Sequence, residues 1–187
     1  MKITGKNSLL YWLRIPFLIY SFGFILINLW ILILMGIYSV TNKTNQFISK
    51  STWKPASIAS EEKTEQVQFH YPLSKMILTT EDSFEGIGIA FLGLLSICFI
   101  LYMAVKIVNQ LSKDNFFTGD AVKFLNLLGY GMLSFGIIQL MFDIIVTPQS
   151  FDFTPPFFTA LIGIVLLMIK EIFIKGKSIQ EENELTI

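Results

Sequence analysis

Four long apolar blocks, separated by polar connections, constrain this chain more than any other feature of its sequence. They cover about residues 15–40, 86–108, 121–146 and 157–174, and the first contains no charged residue. A helix that spans the hydrocarbon core of a bilayer needs about 20 apolar residues. The blocks therefore predict an all-α membrane protein, in which residues 1–187 form a single domain with four transmembrane helices.

The fourth block has the shortest uninterrupted apolar run, because Lys170 and Glu171 lie near its end. A run this short is also compatible with an interfacial or buried helix. We favour a span, since the long side chain of Lys170 can carry its ammonium group to the membrane surface.

Lysine and arginine residues are distributed unequally between the two sides that four spans would create. Five of the 14 lie in the long connection over residues 41–85, and the connection between the third and fourth blocks has none. The others lie close to span ends on the opposite side: Lys2, Lys6, Arg14, Lys106, Lys113, Lys123, Lys170, Lys175 and Lys177. The positive-inside rule then predicts a multi-pass protein of the cell membrane with both termini in the cytoplasm.

Composition excludes several function classes. Lys and Arg total 14 and Asp and Glu total 14, so the net charge is zero, which argues against direct nucleic-acid binding. One cysteine and one histidine leave no disulfide framework or cysteine zinc site within the chain. The sequence also has no glycine-rich phosphate loop, H-E-x-x-H or G-x-S-x-G motif. We therefore expect no enzyme activity, cofactor or metal, and we interpret Cys98 as a small core residue.

The connection over residues 41–85 is the one sizeable polar segment between spans. Apolar residues alternate with other residues over 66–73, which predicts a strand, and residues 75–80 could form a second. We expect a small extracytoplasmic cap with a β-hairpin, stabilised by packing on the helix ends because an isolated hairpin is marginal in water. His70 in this cap is either a polar strand residue or a pH-sensing or metal-binding group.

Polar residues inside the spans are few. Asn28 lies in the first, and Gln139 and Asp143 lie one helical turn apart on one face of the third, where they form a candidate intramembrane polar seam. Such a seam could be an ion or proton site, or it could supply a hydrogen bond between helices and an interfacial acid.

Glycine recurs in the third block, at Gly129, Gly131 and Gly136. Small residues allow helices to approach closely in lipid, and we favour this role. A hinge is the alternative.

The predicted cytoplasmic tail covers residues 176–187. We expect Gly176 to break or bend the fourth helix. The tail then ends in a candidate partner-docking segment, which contains Glu181, Glu182, Glu184, Leu185 and Ile187. The other interpretation is a solvated, frayed end.

Two segments carry a family resemblance: NFFTGDAVKFLNLLG at residues 115–129 and IFIKGKSIQEENELTI at residues 172–187. Over about residues 110–187 the chain resembles a family of uncharacterised bacterial four-helix membrane proteins, a domain of unknown function, with an aromatic residue before the third helix and a Glu-rich tail ending in Leu-Thr and an apolar residue. Members are often encoded beside a small Cro/C1-type helix-turn-helix regulator. The resemblance implies a membrane component that binds or controls such a regulator, and it carries over no catalytic or binding residues.

Two other functions stay open at this point. One is a structural or envelope-stress membrane protein, and the other is a small channel or transporter subunit that uses Gln139 and Asp143. The lipid bilayer is the expected partner in every case, and a homo-oligomer is compatible with all three.

Overall fold

The structure is a computed structural model, and it describes residues 9–53, 64–111, 118–146 and 153–185. Four helices and three strands follow one another along the chain: α1 (Leu9–Thr41), β1 (Ile48–Trp53), β2 (Thr64–His70), β3 (Ile77–Glu81), α2 (Phe84–Leu111), α3 (Gly119–Val146) and α4 (Thr154–Leu185). The predicted fold class is confirmed: four membrane-length helices, with a small sheet between the first two. We call the end of the helices that carries the sheet the cap side, and the other end the termini side.

Each helix contains a segment long and apolar enough to cross a membrane: Tyr11–Thr41, Phe84–Gln110, Gly119–Val146 and Thr154–Glu182. The segment in α4 has a mean hydropathy of 2.3, yet only 6% of its most apolar part is buried inside the protein. An apolar helix with so little of its surface covered by protein is suited to face lipid. The length, hydropathy and low burial of α4 therefore favour a membrane span over an interfacial helix or a helix buried within the protein.

Of the two predictions for Gly176, a break or a bend in the fourth helix, the break is wrong, because α4 continues through this residue to Leu185. A glycine in a helix costs only about 1 kcal/mol relative to alanine, and it keeps its backbone N–H. Lys177 and Glu181, one turn apart, form an ion pair of 3.5 Å on the continued helix. Such pairs stabilise a helix by about 0.2–0.5 kcal/mol.

Helices α3 and α4 form a closely packed antiparallel pair. A Cβ atom built on Gly136 would lie 2.9 Å from the carbonyl oxygen of Pro156, and one on Gly163 would lie 2.8 Å from the carbonyl oxygen of Gly129. Gly131 faces the ring of Phe99 on α2 instead, where a Cβ atom would approach within 2.4 Å. The prediction that these glycines allow close helix approach is confirmed.

The cap is a three-stranded antiparallel sheet in the order β1-β2-β3. The predicted hairpin is present as β2 and β3, with Phe69 opposite Leu78. Strand β1 was not predicted, and it pairs with β2 with Ile48 opposite Phe69. Its six residues, ISKSTW, have an apolar residue only at each end, so they show no alternating pattern.

One face of the sheet packs on the helices and shares their core. Ile48, Val67 and Phe69 are buried in a cluster with α1 residues, which include Ile31, Leu34, Met35 and Tyr38, and with Ile87 and Leu94 of α2. As predicted, packing on the helices supplies the core that so small a sheet lacks.

Candidate functional site

Three side chains join the cap to the helices at the cap-side end of α1. The Tyr38 hydroxyl donates a hydrogen bond of 2.6 Å to Oδ1 of Asp82, and the Lys50 ammonium group donates one of 2.6 Å to Oδ2 of the same carboxylate. We call Tyr38, Lys50 and Asp82 the cap clamp. It connects α1, β1 and the segment between β3 and α2.

Local structure fixes Asp82 in this position. Its backbone N–H donates to the carbonyl oxygen of Glu65 at 2.9 Å, which extends the β2–β3 ladder past the end of β3. Ser83 follows as the N-cap of α2, because its hydroxyl accepts a hydrogen bond of 3.0 Å from the N–H of Gly86. A Cβ atom on Gly86 would lie 2.9 Å from the carbonyl oxygen of Glu81, so the first turn of α2 lies directly against the end of β3.

The electrostatics of the clamp favour its ionised form. Burial alone would raise the pKa of Asp82, but the hydrogen bonds from Lys50 and Tyr38 outweigh it and hold this pKa below its usual value of 3.8. The hydrogen bond to Asp82 raises the pKa of Lys50, whose ammonium group also lies 5.5 Å from the centre of the Tyr38 ring. Hydrogen bonds to a charged group are stronger than neutral ones, so the clamp is a polar tie at the edge of an apolar core.

No sequence pattern predicts the clamp. Tyr38 and Asp82 are 44 positions apart and Lys50 and Asp82 are 32 apart, so no local pattern links them. The one sequence signal is Asp82-Ser83 before the second apolar block, which is typical of a helix N-terminus.

A second polar contact between cap and helix lies deeper along α1. Asn28 is fully buried, and its side-chain N–H donates to the carbonyl oxygen of Phe24 at 2.8 Å. Its side-chain oxygen accepts a hydrogen bond of 3.4 Å from the hydroxyl of Tyr71, which follows β2. The ring of Trp30 on α1 contacts that of Phe47 at a centroid distance of 5.8 Å. The cap therefore lies along the side of α1 as well as over its end.

The two residues of the predicted polar seam have different surroundings. Gln139 accepts a hydrogen bond of 3.2 Å on Oε1 from the hydroxyl of Thr159, which joins α3 to α4. Asp143 is buried, with 7% of its surface exposed. The two remain one turn apart on α3 near its cap-side end.

The structure places His70 in strand β2 and Cys98 in helix α2. Nε2 of His70 lies 2.8 Å from the hydroxyl of Ser49 on the neighbouring strand β1. Cys98 is buried in α2. Within the described residues, no three His, Cys, Asp or Glu side chains lie close enough together to hold a metal ion.

The predicted docking segment is the last part of helix α4. Glu181 and Glu182 are exposed, and Glu184 and Leu185 complete the helix, while Ile187 lies outside the described residues. A Cβ atom on Gly119, the first residue of α3, would lie 3.8 Å from Nζ of Lys177. The α4 residues after Lys177 therefore project past the end of α3 on the termini side.

These features define the chain as a multi-pass membrane protein whose small cap is tied to its first two helices. A family model described as "Protein of unknown function (DUF2975)" matches residues 54–187, and the chain belongs to this family. The match begins directly after β1, so α1 and β1 precede it. Searches of curated proteins and of solved structures found no match.

Proposed function

We propose that this chain is a regulatory protein of the cell membrane, with both termini in the cytoplasm. In this proposal it binds a small cytoplasmic helix-turn-helix transcription regulator, and it works by binding rather than by catalysis. The observation that carries the proposal is the projecting end of α4, which is a folded helix through Leu185. The family resemblance supplies the class of partner.

The chemistry of this helical end is suited to a basic partner surface. Glu181 and Glu182 are exposed, and Ile179 between the charged positions is 58% exposed. A DNA-binding surface is rich in Lys and Arg, so acidic side chains on a partner are complementary to it. Because the segment is already helical, binding would cost less ordering entropy than binding by a frayed tail.

The cap gives this proposal a route for a signal from the other side of the membrane. The clamp ties α1 and α2 together at their cap-side ends through Tyr38 and Asp82. A ligand or a membrane state that favoured one arrangement of the cap would bias the positions of these two helices, as in any two-state coupling.

A capture experiment tests the partner. The tagged chain is purified in detergent with the helix-turn-helix protein encoded beside it. The triple variant E181K/E182K/E184K is expected to weaken capture at least about tenfold, because like charges then meet at the interface. The matched control E61K/E62K/E65K reverses the charge of three acidic residues in the connection over residues 41–85, and it is expected to leave capture unchanged.

Three outcomes would contradict the proposal. The wild-type chain could fail to capture the regulator, both triple variants could weaken capture equally, or the tail variant could capture as well as the wild type. Deletion of residues 178–187 adds a readout in cells, since a purely structural or envelope-stress protein predicts that this deletion leaves transcription unchanged.

Cysteine labelling tests the orientation separately. In a Cys98→Ala background, Thr52→Cys on the cap should react with a membrane-impermeant maleimide in intact cells. Ser178→Cys at the end of α4 should react only after the membrane is permeabilised. The reverse pattern would overturn the predicted topology.

A further inference from the structure

We propose that the turn between β2 and β3 inserts into the cap-side leaflet of the bilayer, where it anchors the cap to lipid. We call residues 71–77 the hairpin tip. Its expected location is the boundary between acyl chains and headgroups.

The direction of β2 is the first observation. The ring of Phe69 contacts that of Tyr38, with centroids 6.0 Å apart. Two residues later, the hydroxyl of Tyr71 reaches Asn28 at 3.4 Å. Asn28 precedes Tyr38 by ten positions, which is about 15 Å along a helix axis. Strand β2 therefore runs back along α1 toward the middle of the membrane-spanning segment.

The depth of Asn28 follows from the charges that flank α1. No charged residue lies between Arg14 and Lys43. If Arg14 marks the termini-side edge of the hydrocarbon, a core about 30 Å thick ends near residue 34 at 1.5 Å per residue. Tyr38 and the cap clamp are then on the water side of this boundary. Asn28 and Trp30 are on the lipid side, and the cap residues that contact them, Tyr71 and Phe47, reach across it.

The surface of the tip matches this location. Leu73 is 87% exposed and Met76 is 63% exposed, and Ile77 adjoins them. Lys75 between them is also exposed. Two apolar side chains with a lysine between them are suited to a leaflet, because the apolar groups enter the acyl region and the ammonium group stays at the lipid phosphates.

The tip is also held in a defined shape. The N–H of Tyr71 donates to the carbonyl oxygen of Met76 at 3.1 Å, and the N–H of Met76 donates to the hydroxyl of Ser74 at 3.0 Å. These bonds close the turn, so Leu73 and Met76 are presented without a further loss of backbone entropy on insertion. The hydrogen bond from Tyr71 to Asn28 keeps the turn beside α1.

Depth-dependent quenching tests the proposal in the full-length protein. In a Cys98→Ala background, Leu73→Cys carries an environment-sensitive fluorophore, and the protein is reconstituted in vesicles with nitroxide lipids. Thr52→Cys, exposed in β1 toward the other end of the same sheet, is the matched control. The tip label should be quenched several-fold more by shallow nitroxide lipids than the control label, and less by aqueous iodide.

Met76→Cys, at a side chain that is 63% exposed, provides a second reporter on the tip if Leu73→Cys does not fold. Equal iodide quenching at the tip and at Thr52→Cys, with no lipid quenching, would overturn the proposal. The proposal would also be overturned if dilution to one chain per vesicle removed the protection of the tip from iodide. That result would mean that a second copy of the chain, and not lipid, covers the tip.

Discussion

The hydroxyl of Tyr38 donates a hydrogen bond of 2.6 Å to the carboxylate of Asp82, and this bond joins the end of α1 to the segment that directly precedes α2. The entire cap lies between these two residues in the sequence. The bond therefore closes the base of the cap, and Lys50 extends the closure to strand β1.

Removal of the shared acceptor should destabilise the protein more than removal of one donor. Asp82→Ala leaves the fully buried Tyr38 hydroxyl without its acceptor and should lower the free energy of unfolding by about 1–3 kcal/mol. Tyr38→Phe removes a donor while Asp82 keeps Lys50, and should cost about 1 kcal/mol. Denaturation in detergent micelles measures both changes.

A double-mutant cycle supplies the control for this prediction. Because both changes break the same bond, Tyr38→Phe together with Asp82→Ala should cost less than the sum of the single effects. Strict additivity, or a larger loss for Tyr38→Phe than for Asp82→Ala, would contradict the clamp. Lys43→Ala, at an exposed lysine beyond α1, should have no effect beyond about 0.5 kcal/mol.

The clamp should also make the docking of the cap sensitive to acid. The pKa of Asp82 is lower in the folded protein than its usual value of 3.8, so this group contributes its stability in full above that value. The contribution is lost as the pH falls through the lower, folded-state pKa. At the alkaline end the raised pKa of Lys50 keeps the ammonium group charged past its usual value of 10.5.

Hydrogen exchange of the β3 amides between pH 7 and pH 3 measures this effect, after correction for the intrinsic exchange rate. Protection should fall with acid in the wild type, and the fall should be smaller in Asp82→Asn, which has no carboxylate to protonate at this position. The two proteins are identical at every other position, so only the difference between the two profiles reports on Asp82. Two superimposable profiles would contradict the prediction.

Close packing of α3 on α4 predicts a strong dependence on glycine position. Gly163→Ala would place a Cβ atom 2.8 Å from the backbone oxygen of Gly129, so the helices must separate, at a cost of about 1–3 kcal/mol. Gly93→Ala in α2 is the matched control, because a Cβ atom at this position would meet no neighbouring element within 4 Å. Thermal unfolding in detergent should show a lower midpoint for Gly163→Ala alone, and equal midpoints would be evidence against this packing.

The sequence predicted the helices well because the bilayer imposes a simple rule on them. A spanning segment must be apolar over about 20 residues, and each of the four blocks meets that rule. Strand β2 was also predictable, since Val67 and Phe69 alternate with polar residues and prove to be its buried positions. Strand β1 carries only Ile48 on that buried face, so its pairing depends on β2 rather than on its own pattern.

The cap clamp and the continuation of α4 were harder to predict for different reasons. Lys50 and Asp82 meet because of the β1–β2–β3 register, which is not encoded locally, and Tyr38 meets them because α1 packs on the sheet. Gly176 does not end α4, because its propensity cost of about 1 kcal/mol is small beside the helical preference of the residues around it. Gln139 and Asp143 were predicted from hydropathy alone, which does not reveal that Thr159 is the partner of Gln139.

The contact between Gln139 and Thr159 should contribute a small coupling energy between α3 and α4. The Thr159 hydroxyl lies 3.2 Å from Oε1 of Gln139 and 2.9 Å from the carbonyl oxygen of Pro155, and its single proton serves one acceptor at a time. Interhelical hydrogen bonds in membrane proteins average about 0.6 kcal/mol, and sharing of the proton places this one at or below that value. Unfolding of Gln139→Leu, Thr159→Val and the double variant in micelles measures the coupling.

A flux measurement on variants of Gln139 and Asp143 separates a structural contact from a conduction site. If Gln139 serves only to join the helices, Gln139→Leu should leave proton and ion flux in reconstituted vesicles at the level of the wild type, and Asp143→Asn should do the same. A change in flux for either variant, with the fold intact by circular dichroism, would favour a channel or transporter subunit. A coupling energy above about 2 kcal/mol would contradict the prediction that Thr159 shares its proton between Gln139 and Pro155, because it would require a stronger hydrogen bond than the membrane average allows.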